Sequence, residues 1–396
     1  MISSYLRRTT SRPKAPAVNE RPEPSAFRAP SVPPRSCPLP QVTASLGSDP
    51  DHFVVEEIPA YPLSDEGEHV FLWIEKRGLN TPDIAKRLAD ATSTKERDIG
   101  YAGMKDKHAV TRQWFSVLYK GDDAAQLNLG QDVCILEARR HNNKLRTGHL
   151  IGNRFTLTLL GASVEDQLRA LAIGAHLRQW GLANYYGAQR FGHRGRNLEQ
   201  AMRWLTEQTA SKRAAGQTDL TEQGRGRDSR RSRHKKPGRF DNKLHPSVIQ
   251  SEFFNRYVTA RLKMPDELLL GEVVRLSGTG THFVVQDVEK ELPRKRTGDL
   301  ILTGAMPGPK TLQSEHASAA LEQQIWSDLE VTDEQKQALF GNAPGARRDV
   351  MMTPEELSCV SVEDRIVLSF SLPAGGYATQ VVREFNNLDW MNPRSS

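Results

Sequence analysis

Gly100-Tyr101-Ala102-Gly103-Met104-Lys105-Asp106-Lys107-His108-Ala109-Val110-Thr111-Arg112-Gln113-Trp114-Phe115 sets a cluster of ionisable groups between two apolar segments. Glycines bound the charged part, and residues 114–118 read as a strand. Two ammonium groups and an imidazole crowd one carboxylate, Asp106, and positive surroundings suit a carboxylate acting as nucleophile or base. An ordinary charged hairpin has the same look, so the residues alone support a catalytic and a structural reading.

Outward from this loop, residues 53–58 and 70–74 read as strands, the second buried. Thr81 before Pro82 predicts a helix cap, with Ile84, Ala85, Leu88 and Ala89 on one face of the helix that follows. Residues 155–159 alternate as a strand, 164–179 and parts of 313–341 are helical, and 366–372 form a last strand before Pro373 and Gly375-Gly376. Strands and helices interleave without regular alternation or a glycine-rich phosphate loop, which predicts an α+β fold. No internal repeat is present.

Charge is concentrated in two places. Residues 1–40 hold seven Arg/Lys against two Glu, and residues 211–240 hold ten Arg/Lys against three acids, while the whole chain carries only +6. Basic segments beside a mildly acidic body suit a polyanion, because displaced phosphate counterions favour binding. Residues 1–43 read as a disordered, Pro-rich basic tail with order beginning near Phe53, and the aperiodic run 212–239 reads as a flexible basic loop. Prolines oppose the amphipathic helix of a transit peptide, no run is long and apolar enough for a membrane span, and three scattered cysteines draw neither a disulfide framework nor a metal site. A cytoplasmic protein is the expectation, and nothing requires more than a monomer.

The run Gly103-Met104-Lys105-Asp106-Lys107-His108-Ala109-Val110-Thr111 with Gln113-Trp114 resembles the signature of the TruD family of tRNA pseudouridine synthases. Ordered blocks extend the resemblance over roughly residues 44–390: Phe53-Val54-Val55-Glu56, Gly152-Asn153-Arg154-Phe155, Asn184-Tyr185-Tyr186-Gly187-Ala188-Gln189-Arg190-Phe191-Gly192, Arg347-Arg348, and Leu372-Pro373 with Tyr377-Ala378-Thr379 and Arg383-Glu384. The resemblance implies a pseudouridine synthase core with a mixed, largely antiparallel sheet and flanking helices, formed by 44–178 and 346–396. An α/β TRUD domain, 179–345, is inserted between them, and Arg347-Arg348 leads back to the sheet.

It further implies that the chain isomerises a uridine of tRNA, uridine 13, with Asp106 as catalytic carboxylate. No group is imported and no redox change occurs, so no cofactor or metal is expected. Phe155 of the Asn-x-Phe motif is implied to line the uridine pocket, although an apolar residue opening a strand is also a natural core residue. Asn153 either hydrogen-bonds the pyrimidine or shapes its turn. Lys105 is expected to tune Asp106 or contact a phosphate. His108 contacts RNA or holds the loop, Thr111 and Gln113 brace it, Arg190 contacts RNA, and Tyr377, Thr379 and Arg383 border the pocket.

Two departures stand out. Gly47-Ser48-Asp49-Pro50-Asp51-His52 lacks the basic residue common before the family's Asp-Phe pair, and Gly375-Gly376 replaces a Gly-Ser-like pair. A catalytically silent RNA-binding protein on the same fold is the rival reading, and the intact Lys105-Asp106 pair opposes it.

Overall fold

The computed structural model describes residues 30, 32–121, 123–218 and 241–387, with 211–218 and 241–243 described for their backbone only. The first part of the chain forms β1 (Ser45–Leu46), β2 (Phe53–Pro59), β3 (His69–Arg77), α1 (Thr81–Ala91), β4 (Gly100–Tyr101), β5 (Val110–Leu118), β6 (Val133–His141), β7 (Leu150–Leu160) and α2 (Val164–Trp180). Then come β8 (Leu182–Ala183), α3 (Ala188–Phe191), α4 (Arg196–Thr218), α5 (Asp241–Arg261), β9 (Val273–Leu276), β10 (His282–Val284), α6 (Val288–Arg296) and β11 (Leu300–Met306). The chain closes with α7 (His316–Asp328), α8 (Asp333–Phe340), β12 (Ala346–Asp349), β13 (Met351–Met352), β14 (Glu355–Val362), β15 (Arg365–Pro373) and α9 (Ala378–Phe385).

Period-two alternation along β7 buries Phe155, Leu157 and Leu159 on one face, where Ile173 and Leu177 of α2 and Val381, Val382 and Phe385 of α9 cover them. β3 buries both faces, as its continuous apolar run requires: Val70, Leu72 and Ile74 meet α1, while Phe71 packs with Trp114 on the other side. Ile84 and Leu88 of α1 are fully buried there, each contributing about 1.5–3 kcal/mol by the area they remove from water. The large sheet has the order β14-β15-β7-β2-β5-β3-β6, with β1 beside β7 and β4 beside β5. Only β2 and β5 run parallel, so the sheet is mixed and largely antiparallel and the fold is α+β, as expected.

A second sheet, β10-β9-β11-β12, carries the aromatic core of α4, α5, α7 and α8, including Trp204, Phe253, Phe254, Tyr257 and Trp326. Ala346–Asp349, expected to begin the return to the large sheet, is instead the edge strand of this one, pairing with β11. The chain re-enters the large sheet at Glu355, after β13 has paired with β8. Residues 212–218, expected in a loop, continue α4, while the remainder of that basic run to 239 lies outside the described residues.

Two further expectations are corrected. The helix cap is Asn80, whose N–H is taken by Asp83, and this releases Thr81 for another task described below. Order also begins well before Phe53. The buried Glu384 carboxylate of α9 accepts from the N–H groups of Ser36 and Cys37 at 2.9–3.1 Å, and Cys37 and Val42 enter the core. This clasp joins segments some 347 residues apart, so no local periodicity could announce it. The earlier part of the expected tail, 1–29, lies outside the described residues.

Thr43 is fixed by Asp166, which accepts from the Thr43 N–H and hydroxyl, both at 2.8 Å, and from the N–H and hydroxyl of Ser163, its helix cap. Burial would raise the Asp166 carboxyl, but these four donors outweigh it and hold it at about 2. A depressed carboxyl stabilises the fold above its unfolded value near 3.8 and ceases to as pH falls through about 2. Asp166→Asn is therefore expected to melt earlier than wild type at pH 7, with the gap closing as the melts are repeated toward pH 2. A gap independent of pH would refute this account.

Candidate active site

Four buried polar side chains from four elements hold the loop between β4 and β5. Gln113 of β5 donates to Gly103 O at 3.0 Å, and Thr81, freed from capping, accepts from Lys105 N at 2.9 Å while donating to Gln113 Oε1. Glu57 of β2 accepts from Lys105 Nζ at 2.8 Å, with side-chain exposures of only 1% and 4%. Lys76 of β3 donates to Asp106 O at 3.1 Å and to Leu79 O at 2.6 Å. Thus Gln113 braces the loop as expected, whereas Thr111 leaves its buried hydroxyl without a hydrogen-bond partner among the described residues.

Two charges here are displaced by burial. It pushes the Glu57 carboxyl up, against the pull of Lys105, and brings the Lys76 ammonium down to about 8, against the pull of Asp106. The Asp106 side chain is half-buried and accepts from His108 N at 3.1 Å, a turn that fixes its direction.

Asp106 opens onto a cavity of about 650 Å³. Phe53, Val55 and Phe155 line one side, Gly375, Gly376, Tyr377, Ala378 and Thr379 another, and Ala188, Gln189, Gly192 and His193 complete it from the second lobe. Phe155 serves both of its readings: it stacks on Phe370 with centroids 5.5 Å apart inside the core, and it still reaches the cavity. Asn153 also lines it, with a buried Oδ1 that has no hydrogen-bond partner among the described residues. Gly152 beside it must be glycine, because a Cβ would stand 2.1 Å from Leu372 O.

Lys105, Asp106, Asn153, Phe155, Tyr377 and Thr379 are therefore brought together. Lys105 does not display its charge for a phosphate, since its ammonium is buried against Glu57. His108 and Arg190 are not part of the lining. His108 is exposed on the loop, and Arg190 lies over the Tyr186 ring at 5.1 Å. Arg383, expected at the border, is buried and donates to Pro33 O.

Sequence reading passed over Glu57 and Lys76, though parity could have found both. Glu57 continues the buried series Phe53, Val55, and Lys76 the buried series Val70, Leu72, Ile74. A charged residue in a core register demands a partner. Arg348 was read as a lead into the sheet and is a strut: its guanidinium lies 4.4 Å over Tyr186 and donates to Asn184 Oδ1 and Gly375 O.

With this geometry in place, comparison with known proteins decides the family. A family model described as tRNA pseudouridine synthase D (TruD) matches residues 37–210 and 194–385. The chain belongs to the TruD family. It is 33% identical over 391 residues to tRNA pseudouridine synthase D of Syntrophotalea carbinolica, covering 89% of this chain and 98% of the relative. It is 36% identical over 354 residues to the Vibrio vulnificus enzyme of the same name, covering 87% and 93%. A solved TruD structure from Methanosarcina mazei superposes with a TM-score of 0.69 at 19% identity, covering 90% of this chain and 96% of that one, which supports the fold. The TruD family match begins at residue 37, inside the segment that the Glu384 clasp holds.

Proposed function

We propose that this protein is a tRNA pseudouridine synthase that isomerises a uridine, uridine 13, with Asp106 as its catalytic carboxylate. The observation that carries the reading is the meeting of Asp106, Phe155 and Asn153 in one cavity of about 650 Å³, roomy enough for a flipped nucleotide. The names of its relatives support the reaction and the substrate class.

The reaction breaks the bond from uracil N1 to ribose C1′, turns the base, forms the bond from C5 to C1′, and moves the C5 proton to solvent while N1 gains one. Atoms and electrons balance within the nucleotide, so no cofactor or metal is required. Asp106 can attack the uracil, attack the ribose, or take a proton from the sugar, and all three need a carboxylate at this place. Phe155 supplies an apolar wall for the extruded base, and the unpartnered Asn153 Oδ1 is suited to accept from uracil N3–H. Tyr377 closes the far side, while His108 and Arg190 act on RNA outside the cavity or hold the wall.

We further read the protein as a monomer acting in the cytosol. Its cysteines are free, and no helix among the described residues is long and apolar enough to cross a membrane. Purified protein incubated with unmodified tRNA and no additive should produce one new adduct-dependent primer-extension stop, one nucleotide 3′ of position 13. A single stop elsewhere would correct the target, and no stop would remove the enzyme reading.

A further inference from the structure

We infer that Lys76 is a positioning residue for Asp106, a role that rests on Asp106 being the reacting carboxylate. Lys76 stands on β3, 1% exposed, in the register of the core residues Leu72 and Ile74. Its ammonium bridges two carbonyls, Leu79 O at the entry to α1 and Asp106 O on the loop. One group thereby ties the catalytic loop to the turn that starts the helix. The other three braces stop at Gly103, Lys105 and Trp114, whereas Lys76 reaches the main chain of Asp106 itself from another element.

Charge strengthens the tie. An ammonium donates to a carbonyl more strongly than a neutral amine does, and a buried one gains more from each bond. The charged groups facing Lys76 are Asp106 and Lys105 from the loop and Asp83 from α1, with Glu57 of β2 paired to Lys105. Glu57 answers Lys105, which leaves Lys76 as the cation beneath Asp106 that no buried carboxylate neutralises among the described residues. Its proton holds Asp106 in place below about pH 8 and is lost as pH rises through that value.

The test uses full-length protein, saturating over unmodified tRNA, with the single-turnover rate read across pH 6–10 and tRNA affinity measured separately. Lys76→Met should lower the rate about 30- to 100-fold, the scale of a reacting group displaced by about 1 Å, with affinity changed less than about threefold. Lys76→Arg, which keeps its charge throughout, should hold its rate above pH 8 where the wild type declines. A wild-type rate in Lys76→Met, a loss explained by affinity alone, or identical alkaline limbs in wild type and Lys76→Arg would overturn the inference. If Lys76→Met does not fold, the alkaline limb of Lys76→Arg decides. Asp106→Asn is run alongside: product from that variant sinks the Asp106 reading itself, whatever Lys76 does.

Discussion

Asp106→Asn should lose about three orders of magnitude or more in single-turnover pseudouridine formation while binding unmodified tRNA as tightly as wild type. Asparagine is nearly isosteric with aspartate, and its Oδ1 can still accept from His108 N, the bond that sets the direction of the side chain. The supports from Lys76, Thr81, Gln113 and Glu57 act on the main chain or on neighbouring residues, so the loop stays where it is. What disappears is the negative charge and with it both nucleophilicity and basicity. A silent RNA-binding protein would show no activity to lose, and a variant with more than about a tenth of the wild-type rate would leave an enzyme with some other reacting group.

Breaking the pair beneath the loop should have the next largest effect, on stability. Glu57→Gln keeps the shape and the acceptor for Trp114 N but leaves the Lys105 ammonium buried without a counter-charge. Removing one partner of a buried pair costs about 3–5 kcal/mol, which in a chain of this size lowers the melting temperature by about 4–6 °C. Lys105→Met behaves differently, because Glu57 is already pushed up by burial and without its cation takes up a proton. A group protonated in the fold and ionised when unfolded favours unfolding as pH rises, so the deficit of Lys105→Met should widen from pH 5 to pH 8. The double variant Glu57→Leu with Lys105→Met should regain most of the loss, since an apolar pair of similar volume avoids the desolvation cost. Equal melting of wild type and Glu57→Gln would show the pair to be solvated.

Both effects concern residues whose visibility in the sequence differs, and the difference has a physical cause. The Lys105-Asp106 loop is legible because its chemistry is dense and contiguous, and the large-sheet strands are legible because burial imposes period two on Phe155, Leu157 and Leu159. Asn153 and Phe155 came through a motif whose spacing matches a strand, with both side chains on one face. Glu57 and Lys76 were legible only in parity, a weaker signal than a motif. The clasp of Glu384 on Ser36 and Cys37 was not legible at all, since its partners are joined by tertiary packing alone. The same holds for Arg190, whose guanidinium packs on Tyr186, and for Arg348, whose neighbours come from a linker, an aromatic core and a glycine loop.

That strut ties the cavity to something other than the sheet that carries the Asp106 loop. Arg348 belongs to the second sheet, yet it grips Gly375, which lines the cavity and has a left-handed backbone, φ +87°. Glycine is at ease in that conformation, and the Gly-Gly step leaves the wall little resistance of its own. On the proposed function, a large folded RNA leaning across both lobes would load Gly375 through this one guanidinium. The grip on the body of such a substrate and the fit around its reacting base would then share one contact.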